Sequence, residues 1–188
     1  MSQWKQKREI IQRYDTSASL YNMQYSEEQK AKIESALKNI KLPKDSFLLD
    51  VGCGTGLLFP YVAKAANLVI GLDISKGMLK EAKKSLKDFR NIALICGDAD
   101  YIPLIDNTFN AVFAVTLLQN MPNPLLTLNE MKRVSKDDTI LVVTGLKKEF
   151  NQEKFVKLLQ NAKLTIKKFV NKENLKGYVA ICKINPKT

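Results

Sequence analysis

Short, nearly uninterrupted apolar runs alternate along the chain with longer stretches in which apolar positions recur three and four residues apart. The runs are Phe47–Gly52, Leu68–Asp73, Ile92–Gly97, Phe109–Thr116, Thr139–Gly145, Leu164–Val170 and Tyr178–Ile184. Each has strand length, and the first five are apolar at successive positions, as strands buried on both faces are. The stretches between them carry helix punctuation. Ser75 caps a segment running to Leu86, Asn123 precedes Pro124 at a first helical position, and Phe155, Val156, Leu158, Leu159 and Ala162 share one helical face. The polar turn 171–177 is short enough to join the last two strands as a hairpin. The pattern predicts a doubly wound α/β domain with helices on both faces of a seven-stranded sheet. Before Phe47, Ser26-Glu27-Glu28-Gln29 has the form of a capping box. Residues 1–46 read as a helical segment packed on a core of residues 47–188, together one domain.

Chemistry enters at the end of the first run. In Asp50-Val51-Gly52-Cys53-Gly54-Thr55-Gly56 an acid ends a strand and three glycines allow the following turn positive φ and a close approach to a ligand. The dinucleotide fingerprint G-x-G-x-x-G needs a glycine at position 57, where Leu57 stands, so NAD and FAD lose ground. Two further acids end apolar runs in the same way, Asp73 in Gly71-Leu72-Asp73-Ile74-Ser75 and Asp98 in Cys96-Gly97-Asp98-Ala99. Open α/β sheets bind ligands at this carboxyl edge, and three acids in register there define a site better than any one of them.

The string D-x-G-x-G-x-G resembles the first motif of the class I S-adenosylmethionine (SAM) dependent methyltransferases. Asp73-Ile74-Ser75-Lys76-Gly77-Met78-Leu79 and Gly97-Asp98-Ala99 resemble later motifs of that family, and the likeness covers residues 42–145 most fully. The resemblance implies a Rossmann-like sheet of order 3-2-1-4-5-7-6 with the last strand antiparallel, and SAM as cofactor. It implies that Asp50 lies near the methionine ammonium, with Gly52, Cys53, Gly54 and Gly56 wrapping the methionine part. Asp73 takes the ribose hydroxyls, Ile74 and Met78 offer apolar surface, Asp98 and Ala99 read adenine, and Thr116 and Leu117 border the methyl group. The reaction is then in-line displacement from an activated donor, for which alignment and a dry site suffice. No catalytic side chain is assigned. Gln119 and Asn120, after the fourth strand, are candidate substrate contacts, as are Tyr14, Tyr21 and Tyr25, of which the last two share a helical face.

Composition narrows the alternatives. The chain has no histidine and three cysteines with no C-x-x-C pair, which argues against a metal site and excludes Ser-His-Asp and Cys-His hydrolases. Cys53, Cys96 and Cys182 read as free thiols of a reducing compartment. No apolar run approaches the roughly 20 residues of a membrane span and no secretory signal is evident, so the expected location is cytoplasmic.

The net charge of +11 is concentrated: residues 144–188 carry 11 basic and 3 acidic side chains, whereas residues 47–143 carry 10 of each. A basic quarter fits a phosphate-bearing partner. RNA of the translation apparatus is therefore the leading substrate expectation, with a loose likeness to ribosomal-RNA guanine-N7 methyltransferases. A small-molecule enzyme acting on a quinone or phenol is the alternative, and a SAM-binding partner without catalysis is another. The edge strand Ile92-Ala93-Leu94-Ile95-Cys96 lacks the lysine or proline that usually protects an edge. By analogy with family members, a small zinc-binding activator protein is the expected partner there.

Overall fold

The computed structural model describes residues 2–184. Its centre is one sheet built from β1 (Ser46–Val51), β2 (Ala66–Asp73), β3 (Ile92–Cys96), β4 (Phe109–Ala114), β5 (Ser135–Leu146), β6 (Leu164–Val170) and β7 (Gly177–Ile184). The strand order is β3-β2-β1-β4-β5-β7-β6. The first five strands pair in parallel, and β7 runs antiparallel between β5 and β6. All seven expected strands form, in the order the family resemblance implies. β5 begins four residues earlier than the apolar run, because Ser135 follows the preceding helix directly and pairs with Phe109.

Burial on both faces explains the continuous apolar runs. Leu49, Val51, Val112, Ala114, Leu141 and Val143 point into one core, while Leu48, Ala111, Phe113 and Val142 point into the other. The helices α1 (Gln3–Leu37), α2 (Phe59–Val62), α3 (Lys76–Lys84), α4 (Pro124–Val134) and α5 (Gln152–Asn161) cover these faces. Ser75, Asn123 and Asn151 cap α3, α4 and α5 by accepting the backbone N–H three residues on. Leu128, Met131, Phe155 and Leu159 close the first core, and Ile33, Phe59, Val62 and Ala82 close the second.

One expectation is corrected. Ser26 does not start a helix, because α1 runs unbroken for 35 residues from its N-cap Ser2. No glycine or proline interrupts it, and alanine, glutamate, lysine and glutamine keep its propensity high on both sides of Ser26. The helix packs against α3 and β7. β3 is an edge strand, as expected, with Ala93 and Cys96 exposed. No helix among the described residues is long and apolar enough to cross a membrane.

Candidate active site

The site lies at the carboxyl ends of β1, β2 and β4, beside the switch in strand order. After β1 the chain turns through Gly52, Gly54 and Gly56 at φ of +72°, +55° and +80°. The Gly52 and Cys53 N–H groups both donate to the Leu72 carbonyl, at 2.7 and 3.0 Å, which ties the turn to the end of β2. The turn leads only to the four-residue α2. Gly56 lies outside the lining of the neighbouring pocket. A Cβ there would stand 2.5 Å from the Phe59 ring, so this glycine serves the packing under the turn. A Cβ on Gly52 would meet Leu117 at 2.8 Å, while one on Gly54 would have room.

Asp73 holds the other side of the turn. Its carboxylate accepts from the Gly54 N–H at 2.8 Å and from the Ser75 N–H at 2.9 Å. Burial raises its pKa, these backbone bonds oppose the rise, and the charge of Asp15 adds to it. Asp50 is 3% exposed, and burial first, then the charge of Asp73, pushes it up to about 8. Two acids so placed favour a cationic ligand group, since a charge left without a partner in low dielectric is costly.

Beyond Asp73 a pocket opens at the carboxyl edge of the sheet, where open α/β sheets bind ligands. Leu72, Ile74, Met78, Ala99 and Val115 give it apolar walls, with Gly52, Gly54, Asp73, Asp98, Thr116 and Leu117 around them. Asp50 and Cys53 line a smaller adjoining recess with Thr55. Burial raises the Cys53 thiol well above its ordinary pKa, which leaves it a poor nucleophile. Among the described residues no group of histidine, cysteine, aspartate or glutamate could hold a metal ion.

The residues that sequence reasoning missed lie almost entirely on α1, which crosses this edge of the sheet. Near its start, Lys7 donates to both Asp98 oxygens at 2.8 and 2.7 Å and stands 2.5 Å from Asp100. Burial alone would lower the Lys7 pKa, but its bonds to Asp100 and Asp98 outweigh that and hold it above the ordinary value. Asp15 accepts from the Ser75 hydroxyl at 2.6 Å and from the Gly77 N–H at 2.7 Å. Thr55 donates its hydroxyl to Asn22 at 2.5 Å. Lys32 is 1% exposed, stands 2.6 Å from Glu28 and donates to the Thr116 hydroxyl at 3.0 Å. Burial lowers the Lys32 pKa even against the pull of Glu28. Thr116, at φ +63°, donates its own hydroxyl to the Gln29 amide oxygen at 2.6 Å. No linear motif announces these contacts. A hint was the presence of polar residues at positions where a packed helix would bury apolar ones.

Tyr14 and Tyr21 line the cofactor pocket, and with Tyr25 they also line a second chamber of ≈ 390 Å³ that shares Thr116 with it. Ring centroids are 6.2 Å apart for Tyr14 and Tyr21, and 5.1 Å for Tyr21 and Tyr25. Gln119 and Asn120 reach the same chamber, Asn120 donating to the Tyr14 hydroxyl at 3.0 Å and accepting from Arg13 at 2.9 Å. The expected substrate residues are thus brought together. Part of the basic quarter is here too: Lys148 lines the chamber and Lys176 lies 3.6 Å from Glu28. Lys167 and Lys168, in contrast, lie on β6, three strands from β4.

The glycine turn, the three strand-end acids and the strand order define a class I SAM-dependent methyltransferase site. Residues 49–143 match the family described as methyltransferase domain, and the chain belongs to it. A demethylmenaquinone methyltransferase from Staphylococcus saprophyticus is 36% identical over 126 residues, 65% of this chain and 54% of that protein. The chain spans about half the length of the relatives of that name that it matches. A SAM-dependent methyltransferase from Aquifex aeolicus superposes with a TM-score of 0.70 at 24% identity, over 81% of this chain and 89% of that one. Phosphoethanolamine N-methyltransferase 1 from Haemonchus contortus, in complex with phosphoethanolamine and S-adenosylhomocysteine, gives 0.84 at 14% identity. That match covers all of this chain and 50% of the other. The residues present fit SAM, because the carboxyl groups of Asp50 and Asp73 suit its cationic and hydroxyl-bearing parts and the space beside Gly54 leaves room for a ligand.

Proposed function

We propose that the protein methylates a small aromatic acceptor of quinol or phenol type. The observation that carries this reading is the tyrosine-walled chamber across Thr116 from the cofactor pocket, bounded by α1. Flat rings pack well against tyrosine faces. The name of the staphylococcal relatives supports this acceptor over RNA.

SAM, when bound, supplies an activated sulfonium methyl group. The chain's own residues hold and align. Asp50 and Asp73 favour the cationic end and the ribose, and Met78, Ile74 and Ala99 enclose the base. α1 lies along this edge, and Thr116, fixed by Lys32 and Gln29, forms the wall between donor and acceptor spaces. Positioning of this kind accounts for most of what an already activated donor requires.

Incubation with radiolabelled SAM and separate RNA, protein and lipid-soluble extracts tests the proposal. Label is expected in a lipid-soluble or small aromatic product. Label confined to RNA overturns the reading.

A further inference from the structure

Tyr21 of α1 stands where three spaces meet. It lines the cofactor pocket with Gly52 and Gly54, the smaller recess with Asp50 and Cys53, and the second chamber with Tyr14 and Tyr25. Among the described residues no other lines all three. The ring is held from several sides. Tyr14 and Tyr25 pack on it at centroid distances of 6.2 and 5.1 Å, and the Gln29 amide nitrogen donates to its hydroxyl at 3.4 Å. Gln29 is in turn fixed by the Thr116 hydroxyl. Burial first, then the neighbouring Tyr14, Asp73 and Glu28, raise the phenol well above its ordinary pKa, so the side chain stays neutral and does not serve as a base.

The donor has the same three-way form. Its sulfur joins an adenosyl arm, a methionyl arm and a methyl group, and it carries a positive charge with no N–H or O–H to donate. The carboxyl groups of Asp50 and Asp73 suit the ammonium and the hydroxyls, but to a hydrogen-bond acceptor a sulfonium offers nothing. Cations without donors are recognised by aromatic faces, because the ring quadrupole is negative there. We infer that Tyr21 is a cofactor-binding residue whose ring packs against the sulfonium of SAM and so selects the charged donor over S-adenosylhomocysteine, whose sulfur is neutral. The spent donor fits the same pocket, and a contact with the charge is the one it cannot make. This selection holds whatever acceptor enters the chamber.

Calorimetric titration of the full chain with SAM and with S-adenosylhomocysteine at neutral pH tests the inference. Tyr21→Phe keeps the ring and is expected to keep the wild-type ratio of the two affinities. Tyr21→Leu should lower SAM affinity relative to S-adenosylhomocysteine about three- to thirtyfold, the range of cation–π contacts. A second series does not depend on how leucine packs. Phenylalanine bearing one, two and three ring fluorines is placed at position 21, each fluorine thinning the negative face of a ring of nearly constant shape. SAM affinity should fall stepwise along the series while S-adenosylhomocysteine affinity stays level. A wild-type ratio in Tyr21→Leu, a loss in Tyr21→Phe as large as that in Tyr21→Leu, or a flat fluorine series overturns the inference.

Discussion

Lys7 holds both carboxylate oxygens of Asp98 from 91 residues away, at 2.8 and 2.7 Å. The strand-end acid expected to meet the adenine is thereby joined to the first turns of α1, so the cofactor pocket and the N-terminal helix are parts of one structure. Lys7→Met leaves Asp98 and the fully buried Asp100 without their cation. Urea unfolding should show a loss of about 3 kcal/mol, as for broken buried pairs, and hydrogen exchange should quicken over the first turns of α1. An unchanged midpoint together with unchanged exchange would show that the pair contributes nothing.

Asp73→Ala removes the acceptor at the end of β2 and frees the Gly54 and Ser75 N–H groups. Affinity for S-adenosylhomocysteine is expected to fall about ten- to a hundredfold, or roughly 1.5–3 kcal/mol, the scale of charged hydrogen bonds. Calorimetry at neutral pH decides it, and wild-type affinity would remove Asp73 from the ligand.

Asp50 makes both stability and binding depend on pH. Its folded pKa of about 8 lies above the ordinary 3.8, so its stabilising contribution is fully present below about pH 4 and is lost as pH rises through 8. Between those limits the folded state holds a proton that the unfolded chain has released. The ligand-free protein should therefore melt at lower temperature at pH 8 than at pH 6, and Asp50→Asn should flatten the difference. A ligand ammonium favours the ionised carboxylate, so S-adenosylhomocysteine affinity should rise as pH increases over about 5.5–7.5. A flat wild-type affinity profile would contradict this role.

Gly56→Ala places a methyl group into the Phe59 ring and a side chain at φ +80°. The backbone term alone costs about 1–3 kcal/mol, and the contact adds to it. Thermal unfolding should show a drop of several degrees. Gly54→Ala, which has room for its Cβ, should cost less stability and weaken cofactor binding more.

The sheet could be read from the chain because its determinants are local: runs such as Leu48-Leu49-Asp50-Val51 state both their burial and their end. The same holds for Asp50, Asp73 and Asp98, each marked by the strand it terminates. α1 could not be read in this way. Ser26 carries the local signature of a start, yet whether a helix begins there depends on what surrounds it, and good helix formers on both sides carry the helix through. Lys7, Asp15 and Lys32 look like a solvated face in sequence. Their partners, Asp98, Ser75 and Thr116, are distant in the chain and are brought near only by the strand order. The RNA expectation rested on net charge in residues 144–188, and charge identifies a class of partner only where the fold gathers it into one surface. Here Lys148 lines the chamber, Lys154 and Lys157 lie on α5, and Lys167 and Lys168 lie on β6.

A helix of 35 residues is about 50 Å long, and α1 is fastened at Lys7, Asp15, Asn22 and Lys32 to four different parts of the cofactor edge. Such a fastening is multivalent: while three attachments hold, the fourth re-forms at high effective concentration. Loss of any single one should leave the helix seated, whereas losses combined along its length should be more than additive. The affinity of α1 for its own domain is in this sense an avidity, spread over groups none of which is strong enough to hold it alone.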